Sequence, residues 1–411
     1  LDWLGEKRDW PVGRQLWWGH RIPIWLKSWN QQDEEWLGSE FGLVLAADDT
    51  AAPAAAGRMA ALRVPPSEDT DGQFLISVAG DSQDLEAQLE ARGFVQEDEV
   101  LDTWFSSALW PHSTLGWPDE TPALTRWYPT SVLITSRDII TLWVARMVLT
   151  GLNNLGEVPF RDVFIHPKIL DGYGETMSKS KGNGVDPLDV IDKFGADALR
   201  FGLSYLTTET QDVRLPVQFE CPACHTLIEQ TRENRELPRI ECQHCDQPFA
   251  TQWARLDDDT RLPRGAVVSA RFEQARNFCN KLWNGARFAF MNLDGYEPAP
   301  VARDALTVTD RWLLSGLSSV TQQVTGALET FRFSEAARTL YDFAWDEFCG
   351  FYVEMAKERL QDPSARPNAQ RVLASALDQL LRLLHPIIPF ISEELWQALG
   401  RHAGRRGLND P

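Results

Sequence analysis

Four of the six cysteines stand in two Cys-X-X-Cys pairs, and this spacing constrains the local fold more than any other sequence feature. The first pair is Cys221 and Cys224, the second is Cys242 and Cys245, and 17 residues separate them. Four thiolates at this spacing are typical of zinc ribbons, in which two turns present the ligands to one tetrahedral ion. The sequence therefore predicts a zinc-ribbon-like insertion over residues 219–252 that holds structural Zn²⁺. The alternative is a lost metal site or four free thiols that bind no metal.

Composition and charge restrict the fold and function classes that are open to the whole chain. The 411 residues are enough for two or three domains, and 43% of them are hydrophobic, which suffices for real cores. Most of the net charge of −19 lies in residues 31–100, where 16 acidic residues stand against 3 basic ones. This charge argues against general polyanion binding and leaves local contacts with nucleic acid open elsewhere. No apolar run approaches the roughly 18 residues that cross a bilayer, and the clustered cysteines indicate a reducing, cytoplasmic setting.

Hydrophobic periodicity predicts two different architectures. Residues 128–218 alternate between β-branched runs, such as 131–135, and helical spacing, such as 138–150, which predicts a parallel α/β sheet. Beyond about residue 265, apolar residues recur at i, i+3 and i+4, which predicts a bundle of about five helices. The predicted helices cover residues 272–292, 310–330, 334–360, 368–384 and 392–399. Within the acidic stretch, residues 74–78 are predicted to form a strand and 83–92 a helix.

A short basic loop carries the clearest candidate chemistry. It comes shortly after a strand-like run and ends in a Gly-Asn turn at Gly182 and Asn183. A lysine is a mobile point charge suited to phosphate oxygens, and glycine lets the backbone approach an anion closely. A solvated basic turn would have the same composition, so the loop alone predicts only that phosphate can bind. Its residues are Thr176, Met177, Ser178, Lys179, Ser180 and Lys181.

This loop and several longer blocks resemble the class I aminoacyl-tRNA synthetases, and among them the valine-specific members. The loop is similar to that family's Lys-Met-Ser-Lys-Ser signature, with Thr176 in place of the first lysine. The sequence Asp-Thr-Trp-Phe-Ser-Ser at residues 102–107 is more similar to the valine enzymes than to the isoleucine enzymes. The similar blocks follow the family's order and together span most of the chain: residues 14–23, 102–111, 143–147, 195–200, 341–357 and 385–396.

The resemblance implies a domain organisation. It implies an α/β fold, the second half of a class I Rossmann-like catalytic domain, followed by an all-α helical-bundle anticodon-binding domain. Residues 1–127 would be a connective region that returns to the catalytic domain and includes the acidic insert 31–100. Residues 128–218 would form the catalytic half with the signature loop, residues 219–252 the zinc-ribbon-like insertion, and residues 265–411 the anticodon-binding domain.

The resemblance also implies an activity, the ATP-dependent ligation of L-valine to tRNA(Val) through valyl-adenylate. ATP would bind with Mg²⁺ to the signature loop, residues 176–181, and Lys179 would meet its phosphate oxygens in the transition state. Because threonine carries no charge, either Lys179 acts alone or Lys168 or Lys181 compensates for Thr176. Positioning and charge placed at the phosphates would supply the catalysis, since no protein nucleophile is needed.

Valine recognition would need a small apolar slot and an anion for the ammonium group. By resemblance, Trp104 and Ile139 would line the slot and Asp138 would face the ammonium group. The alternatives are that Trp104 is ordinary core and that Asp138 caps its helix. The tryptophan-rich start, with 7 Trp in residues 1–36, predicts a packed anchor between domains, with stacking on RNA bases as the alternative.

One family motif does not occur in the sequence. No His-Ile-Gly-His block is present, and in the family this block belongs to the first half of the nucleotide fold. The chain is therefore expected to be part of a longer enzyme and to make no valyl-adenylate by itself. Two other readings stay open: an isoleucyl- or leucyl-tRNA synthetase, or a non-catalytic RNA-binding adaptor derived from a synthetase.

Overall fold

The structure, a computed structural model, describes residues 9–42, 52–53, 59–66, 72–79, 82–300 and 303–403. It divides into two compact units, Leu1–Val163 and Phe164–Pro411. None of the helices within the described ranges combines the length and the apolar character that crossing a bilayer requires.

The first unit contains a five-stranded antiparallel sheet built largely from the acidic stretch. Two helices accompany the sheet, α1 at Gln31–Phe41 and α2 at Gln83–Ala91. The strands are β1 Gly13–Arg14, β2 Ile24–Ser28, β3 Ala52–Pro53, β4 Met59–Val64, β5 Gln73–Val78, β6 Val95–Gln96 and β7 Val100–Leu101. The sheet has the order β3-β4-β5-β2-β6, while β1 and β7 pair separately. The predicted strand at 74–78 and helix at 83–92 are confirmed.

Alternation along β5 explains how so acidic a segment folds. Phe74, Ile76 and Val78 point to one face and are buried, as the period of two in a strand requires. Leu37 of α1 and Leu89 of α2 are fully buried in the same core. Among the described residues of this segment, the one buried carboxylate, that of Asp33, pairs with Lys27, so a high local charge is compatible with a packed core.

The rest of the first unit is mostly helical. Its elements are α3 Thr103–Ser113, α4 Pro122–Trp127, β8 Thr130–Ser136, α5 Ala145–Leu155 and β9 Phe160–His166, which extends past the unit boundary. The strand predicted at 131–135 is confirmed as β8. The helix predicted at 138–150 is present in three pieces, a 3-10 turn at Arg137–Ile139, a π-helical turn at Ile140–Val144, and α5. The strands β8 and β9 form a separate two-stranded sheet.

The second unit begins with the region around the signature loop. Its elements are β10 Ile169–Asp171, α6 Pro187–Phe194, α7 Ala196–Leu206 and β11 Val213–Leu215. Gly195, with φ of +96°, separates α6 from α7, a conformation that favours glycine. The expected parallel sheet is represented by the parallel pair β10–β11, in which three residues of each strand are paired. It stays short because the chain after β11 enters β12, which pairs with other strands.

The insertion consists of two hairpins, each with one cysteine pair at its turn. The strands are β12 Gln218–Glu220, β13 Leu227–Glu229, β14 Arg239–Glu241 and β15 Pro248–Ala250, followed by α8 Asp257–Thr260 and β16 Ala266–Val268. β12 pairs with β13 and β14 pairs with β15, and β16 adds to the free edge of β12. Each cysteine pair therefore lies in the turn between two paired antiparallel strands, the first between β12 and β13 and the second between β14 and β15.

The C-terminal part is a helical bundle, as predicted. Its helices are α9 Glu273–Asn292, α10 Val308–Glu329, α11 Phe333–Asp342, α12 Val353–Gln361, α13 Arg366–Leu384 and α14 Pro389–Ala403. The helix predicted at 334–360 contains a π-helical stretch, Phe343–Tyr352, between α11 and α12. One continuous core of leucine, alanine and aromatic side chains joins these helices and also includes α6 and α7.

A buried ion pair fixes the start of α10. Thr307 and Asp310 form a capping box, and Asp310, completely buried, also accepts two hydrogen bonds from Arg359, at 2.7 and 2.8 Å. Tyr352 Oη donates a further bond to Asp310 Oδ1 at 2.8 Å. Burial alone would raise the pKa of Asp310, but the bonds from Arg359 and Thr307 outweigh it and hold that pKa below its usual 3.8.

Replacing Asp310 by alanine is expected to lower the free energy of unfolding by about 3–5 kcal/mol, because Arg359 would lose its buried partner. Urea denaturation followed by circular dichroism measures this. The control is Lys357→Ala, which removes the exposed pair with Glu354 and should cost less than about 1 kcal/mol. The folded pKa of Asp310 also predicts how stability depends on pH. Because it lies below 3.8, the stabilising contribution of Asp310 is present above pH 3.8 and is lost as the pH falls further. Equal effects of the two substitutions would contradict this account.

Candidate functional site

The signature loop follows β10 and is closed by a buried aspartate. Asp171 Oδ1 accepts hydrogen bonds from the backbone N–H groups of Tyr173 (3.0 Å) and Glu175 (2.8 Å). Its other oxygen accepts a bond from Asn183 Nδ2 at 2.8 Å. Burial alone would raise the pKa of Asp171, but these bonds outweigh it and lower that pKa. A charged carboxylate therefore anchors the base of the loop.

Asn183 ties the loop to itself from the other end. Its Oδ1 accepts a bond from Ser178 N–H (3.0 Å), and its Nδ2 also lies 3.3 Å from the carbonyl oxygen of Thr176. The Ser178 and Ser180 hydroxyls lie 3.2 Å apart. Sequence reasoning identified Asn183 only as part of a turn and missed Asp171, although an Asp-Gly step directly after a strand marks a turn.

The two lysines of the loop differ in their surroundings. Lys179 is exposed, and within the described part of the chain its ammonium group makes no hydrogen bond or ion pair. Lys181 Nζ lies 3.7 Å from Glu175 Oε2. Thr176 is exposed, while Met177 is half-buried against two hydrophobic cores. The loop therefore presents one available ammonium group on a backbone that internal hydrogen bonds hold in place, an arrangement suited to an anionic ligand.

Positive charge near Thr176 comes from a source that the sequence did not predict. Arg232 Nη2 lies 2.8 Å and Arg235 Nη1 3.3 Å from the Glu175 carboxylate, directly beside Thr176. The hydrogen bond from Arg235 lowers the pKa of Glu175. Of the compensating lysines considered above, Lys181 belongs to this same ionic group, whereas the backbone N–H of Lys168 donates to Asp212 Oδ1 at 3.0 Å.

The four predicted metal ligands come together. All four sulfur atoms lie within 4.8 Å of one another, with Cys221 and Cys245 3.7 Å apart and Cys224 and Cys242 3.6 Å apart. Zinc–sulfur bonds of about 2.3 Å in tetrahedral geometry put the sulfurs about 3.8 Å apart. The cluster therefore has the dimensions of a tetrathiolate metal site.

Backbone geometry and charge support the same conclusion. The N–H groups of His225 and Asp246 donate to the carbonyls of Cys221 and Cys242, at 2.9 and 2.8 Å, and close equivalent turns in the two hairpins. The Thr226 hydroxyl and N–H lower the pKa of the Cys224 thiol to about 5, whereas at Cys245 a hydrogen bond from Gln247 N–H is outweighed by burial and the neighbouring cysteines, which raise the pKa of that thiol to about 12. The thiolate form, which binds metals, is therefore favoured at Cys224.

The three residues predicted to bind valine lie in the first unit. Trp104 is half-buried at the second position of α3. Asp138 is exposed and Ile139 half-buried, both in the 3-10 turn that precedes the π-helical turn and α5. Hydrogen bonds from Trp143 Nε1 to Ser107 O (3.1 Å) and from Thr150 Oγ1 to Ala108 O (2.8 Å) join the two segments, so these residues stand on neighbouring elements.

An ionic cluster in the first unit was not predicted. Asp102, nearly buried, accepts a hydrogen bond from Trp10 Nε1 at 2.8 Å and pairs with Arg14 at 3.0 Å and Arg146 at 3.6 Å. The Arg146 guanidinium lies 3.6 Å from the centre of the Trp10 ring. The cluster thus joins the tryptophan-rich start to α3 and α5.

The packed-anchor prediction for the tryptophans is only partly correct. Trp25 is 2% exposed and belongs to the core of the first unit. Trp17 and Trp18, however, are 97% and 89% exposed, so the prediction is wrong for these two residues. They occupy an irregular segment between β1 and β2, where no helix or strand turns their rings toward a core.

Comparison with known families decides where this chain belongs. The profile of the class I tRNA synthetases (I, L, M and V) matches residues 1–216, more than half of the chain. The chain belongs to the class I tRNA synthetases. A second profile, the anticodon-binding domain of tRNA ligases, matches residues 310–408 of this synthetase chain. The predicted fold class, a class I catalytic fold followed by a helical anticodon-binding domain, is confirmed.

Curated relatives of this synthetase chain include several valine–tRNA ligases. That of Rhodopirellula baltica is 61% identical over 412 residues, a match that covers 100% of the chain and 40% of the relative. Those of Thermosynechococcus vestitus and Syntrophotalea carbinolica are 39% and 38% identical, with 99% and 97% of the chain covered and 37% and 34% of each relative. The chain thus spans about 40% or less of the length of these relatives.

Solved structures share the fold of this synthetase chain. The agnB2 LeuRS of Agrobacterium radiobacter K84, in a ternary complex with tRNA, matches with a TM-score of 0.56 and 19% identity. That match covers 96% of the chain and 42% of the LeuRS chain. Methionyl-tRNA synthetase of Mycobacterium tuberculosis matches with a TM-score of 0.50 and 18% identity, covering 91% of this chain and 71% of the other.

Proposed function

We propose that the gene product ligates L-valine to tRNA(Val) through valyl-adenylate, and that this chain supplies the ATP signature loop and the anticodon-binding bundle. The observation that carries the proposal is the exposed ammonium group of Lys179 on a loop closed by Asp171 and Asn183. The similarity to several valine–tRNA ligases over nearly the whole chain points to valine as the amino acid.

The proposed reaction has two steps. A carboxylate oxygen of valine attacks the α-phosphorus of ATP, the bond from this phosphorus to the bridging oxygen breaks, and pyrophosphate leaves with its metal, Mg²⁺. The terminal 2′-hydroxyl of tRNA then attacks the valyl carbonyl, loses its proton, and AMP leaves. Lys179 acts in the first step, because its positive charge stabilises the negative charge that builds up on the phosphate oxygens.

Substrate selection is proposed for three residues of the first unit. Trp104 and Ile139, both half-buried, would line a slot for the valine side chain, and the exposed Asp138 would attract its ammonium group. Their places on neighbouring elements of one unit are consistent with a shared role. Because a small apolar slot discriminates mainly by size, this part of the proposal concerns valine against larger side chains.

The cysteine cluster is proposed to hold Zn²⁺ in a structural role. Tetrahedral zinc suits four thiolates at the observed spacing, and all four residues are used as ligands, which leaves no open position for chemistry. The gene product is proposed to work in the cytoplasm, where thiols stay reduced, without a membrane partner.

Amino-acid-dependent exchange of pyrophosphate into ATP tests this function in the full-length gene product. We expect exchange with valine, and at least about tenfold weaker exchange with isoleucine and leucine at equal concentrations. A preference for isoleucine or leucine would assign another branched-chain enzyme, and no exchange with any of the three would support the RNA-binding adaptor. The 411 residues alone are expected to show no exchange, because they contain no His-Ile-Gly-His block.

A further inference from the structure

The cysteine insert, residues 219–252, contacts the signature loop at its C-terminal end. The carbonyl oxygen of Gly182 accepts hydrogen bonds from Gln230 Nε2 at 3.0 Å and from Gln252 Nε2 at 3.2 Å. Gln230 is buried, and its own backbone is held by a bond from its N–H to the carbonyl of Val217. Two amide donors from the insert therefore converge on a single backbone carbonyl next to Lys181.

The same glycine packs directly against the ring that follows the insert. Gly182 is buried with φ of +65°, and a Cβ at this position would lie 2.6 Å from Trp253 Nε1 and 2.9 Å from Gln252 Nε2. No side chain fits there without displacing these groups. The backbone of the loop and the end of the insert are thus complementary surfaces within the second unit.

A second contact lies at the N-terminal end of the loop. Arg232 and Arg235, both from the insert, bind the Glu175 carboxylate at 2.8 and 3.3 Å, and the Arg232 guanidinium lies 5.2 Å from the ring centre of Tyr173. The insert therefore touches the chain immediately before Thr176 and immediately after Lys181. The six signature residues are held between these two points.

The core of the insert extends to the loop as well. Met177 packs against the hydrophobic cluster that contains Cys221 and Cys242 together with Phe219, Ile240 and Phe249, and the other two metal-ligand cysteines pack against the same cluster. This core is small, and small metal-binding modules depend on their ion for order. Because Met177 contacts this cluster, an ordered cluster also holds the middle of the signature loop, next to Ser178, in place.

We propose that the cysteine insert is a positioning platform for the signature loop, so that metal bound by the four cysteines fixes the conformation from which Lys179 meets ATP. This inference rests on the proposed function, because it needs a loop that acts in adenylate formation. Gln230 and Gln252 are positioning residues, since they touch the loop backbone and not the ATP. The effect of the platform is confined to the first step, because the phosphates that the loop binds have left before tRNA reacts.

The double variant Gln230→Met and Gln252→Met tests the proposal in the full-length gene product. It keeps side-chain volume and removes both donors to Gly182, and Gln247→Met, an exposed glutamine of the same insert, is the matched control. We expect the kcat of valine-dependent ATP–pyrophosphate exchange to fall at least about tenfold. The KM for valine, the zinc content, and the single-turnover transfer from preformed valyl-adenylate to tRNA should stay within twofold of wild type.

A second readout does not depend on activity. Amide hydrogen exchange of residues 176–183 should become faster in the double variant, and also in wild-type protein after zinc chelation, but not in the control. Wild-type exchange kinetics in the double variant, a parallel loss of adenylate transfer, or a loop unaffected by chelation would overturn the platform and leave the proposed function intact. Absence of valine-dependent exchange in the wild type would overturn the proposed function and this inference with it.

Discussion

Substituting Lys179 by alanine in the full-length gene product is expected to slow valine-dependent ATP–pyrophosphate exchange by about 10²- to 10³-fold, the usual effect of removing one charge-stabilising group. Lys179 is exposed at the turn of a loop that Asp171 and Asn183 hold closed, and it makes no ion pair within the described residues. Its charge is therefore available to phosphate oxygens without breaking another interaction. Steady-state exchange measured over a range of ATP concentrations separates kcat from KM.

Two further measurements test whether the expected effect is specific to Lys179 and to ATP. Lys181→Ala should have a smaller effect, about tenfold or less, because Lys181 lies beside Glu175 and shares that carboxylate with two arginines. The affinity of the Lys179→Ala variant for tRNA(Val), measured by filter binding, should remain within about twofold of wild type. A loss confined to tRNA binding, with exchange unchanged, would count against the assignment of Lys179 to ATP.

Replacing Cys242 by serine is expected to reduce bound zinc from one ion per chain to nearly none. Structural zinc in small tetrathiolate or mixed sites contributes about 10–16 kcal/mol of apparent binding energy. The four sulfur atoms of this cluster lie close enough together to bind one ion. Loss of the ion removes the cross-link between the two hairpins, so the insert should also become sensitive to proteolysis between residues 219 and 252. Elemental analysis of purified protein measures the ion content directly.

The control for this prediction is Cys279→Ser. Cys279 lies on α9 outside the cluster, and burial raises the pKa of its thiol to about 12, so it is a neutral side chain packed among helices. Zinc content should stay at one ion per chain in this variant. Zinc retained after all four cluster cysteines are replaced, or wild-type protein that takes up no zinc, would contradict the site.

The helical half of the fold was predictable because its signal is local. Apolar residues at i, i+3 and i+4 identify the helices of the bundle from their own sequence, although α14 begins at Pro389, three residues before the predicted start at residue 392. The sheet of the first unit was not predicted as a sheet. β2 pairs with β5, with Trp25 opposite Ile76, across about fifty residues that are acidic and partly low in complexity. Such pairing is set by tertiary packing, which no local pattern reports.

The candidate site likewise contains a part that the sequence predicted and a part that only the fold shows. The cysteine cluster followed from spacing alone, since four thiolates arranged as two close pairs have few other uses. The residues that support the signature loop did not, because Gln230 is 48 positions from Gly182 and Arg232 is 57 positions from Glu175. Glutamine and arginine at a distance have no distinctive pattern in a sequence, and only the fold shows that they converge on one loop.

Charging of tRNA tests the central claim most directly. Full-length gene product, ATP and Mg²⁺ are incubated with radiolabelled valine or, in separate reactions, radiolabelled isoleucine or leucine. Each reaction contains a tRNA(Val) transcript or, in parallel, a tRNA(Ile) transcript, and acid-precipitable label is counted. The account predicts valyl-tRNA formation that requires tRNA(Val) and is abolished by Lys179→Ala. Charging with isoleucine in place of valine, or tight tRNA binding with no charging by any amino acid, would contradict it.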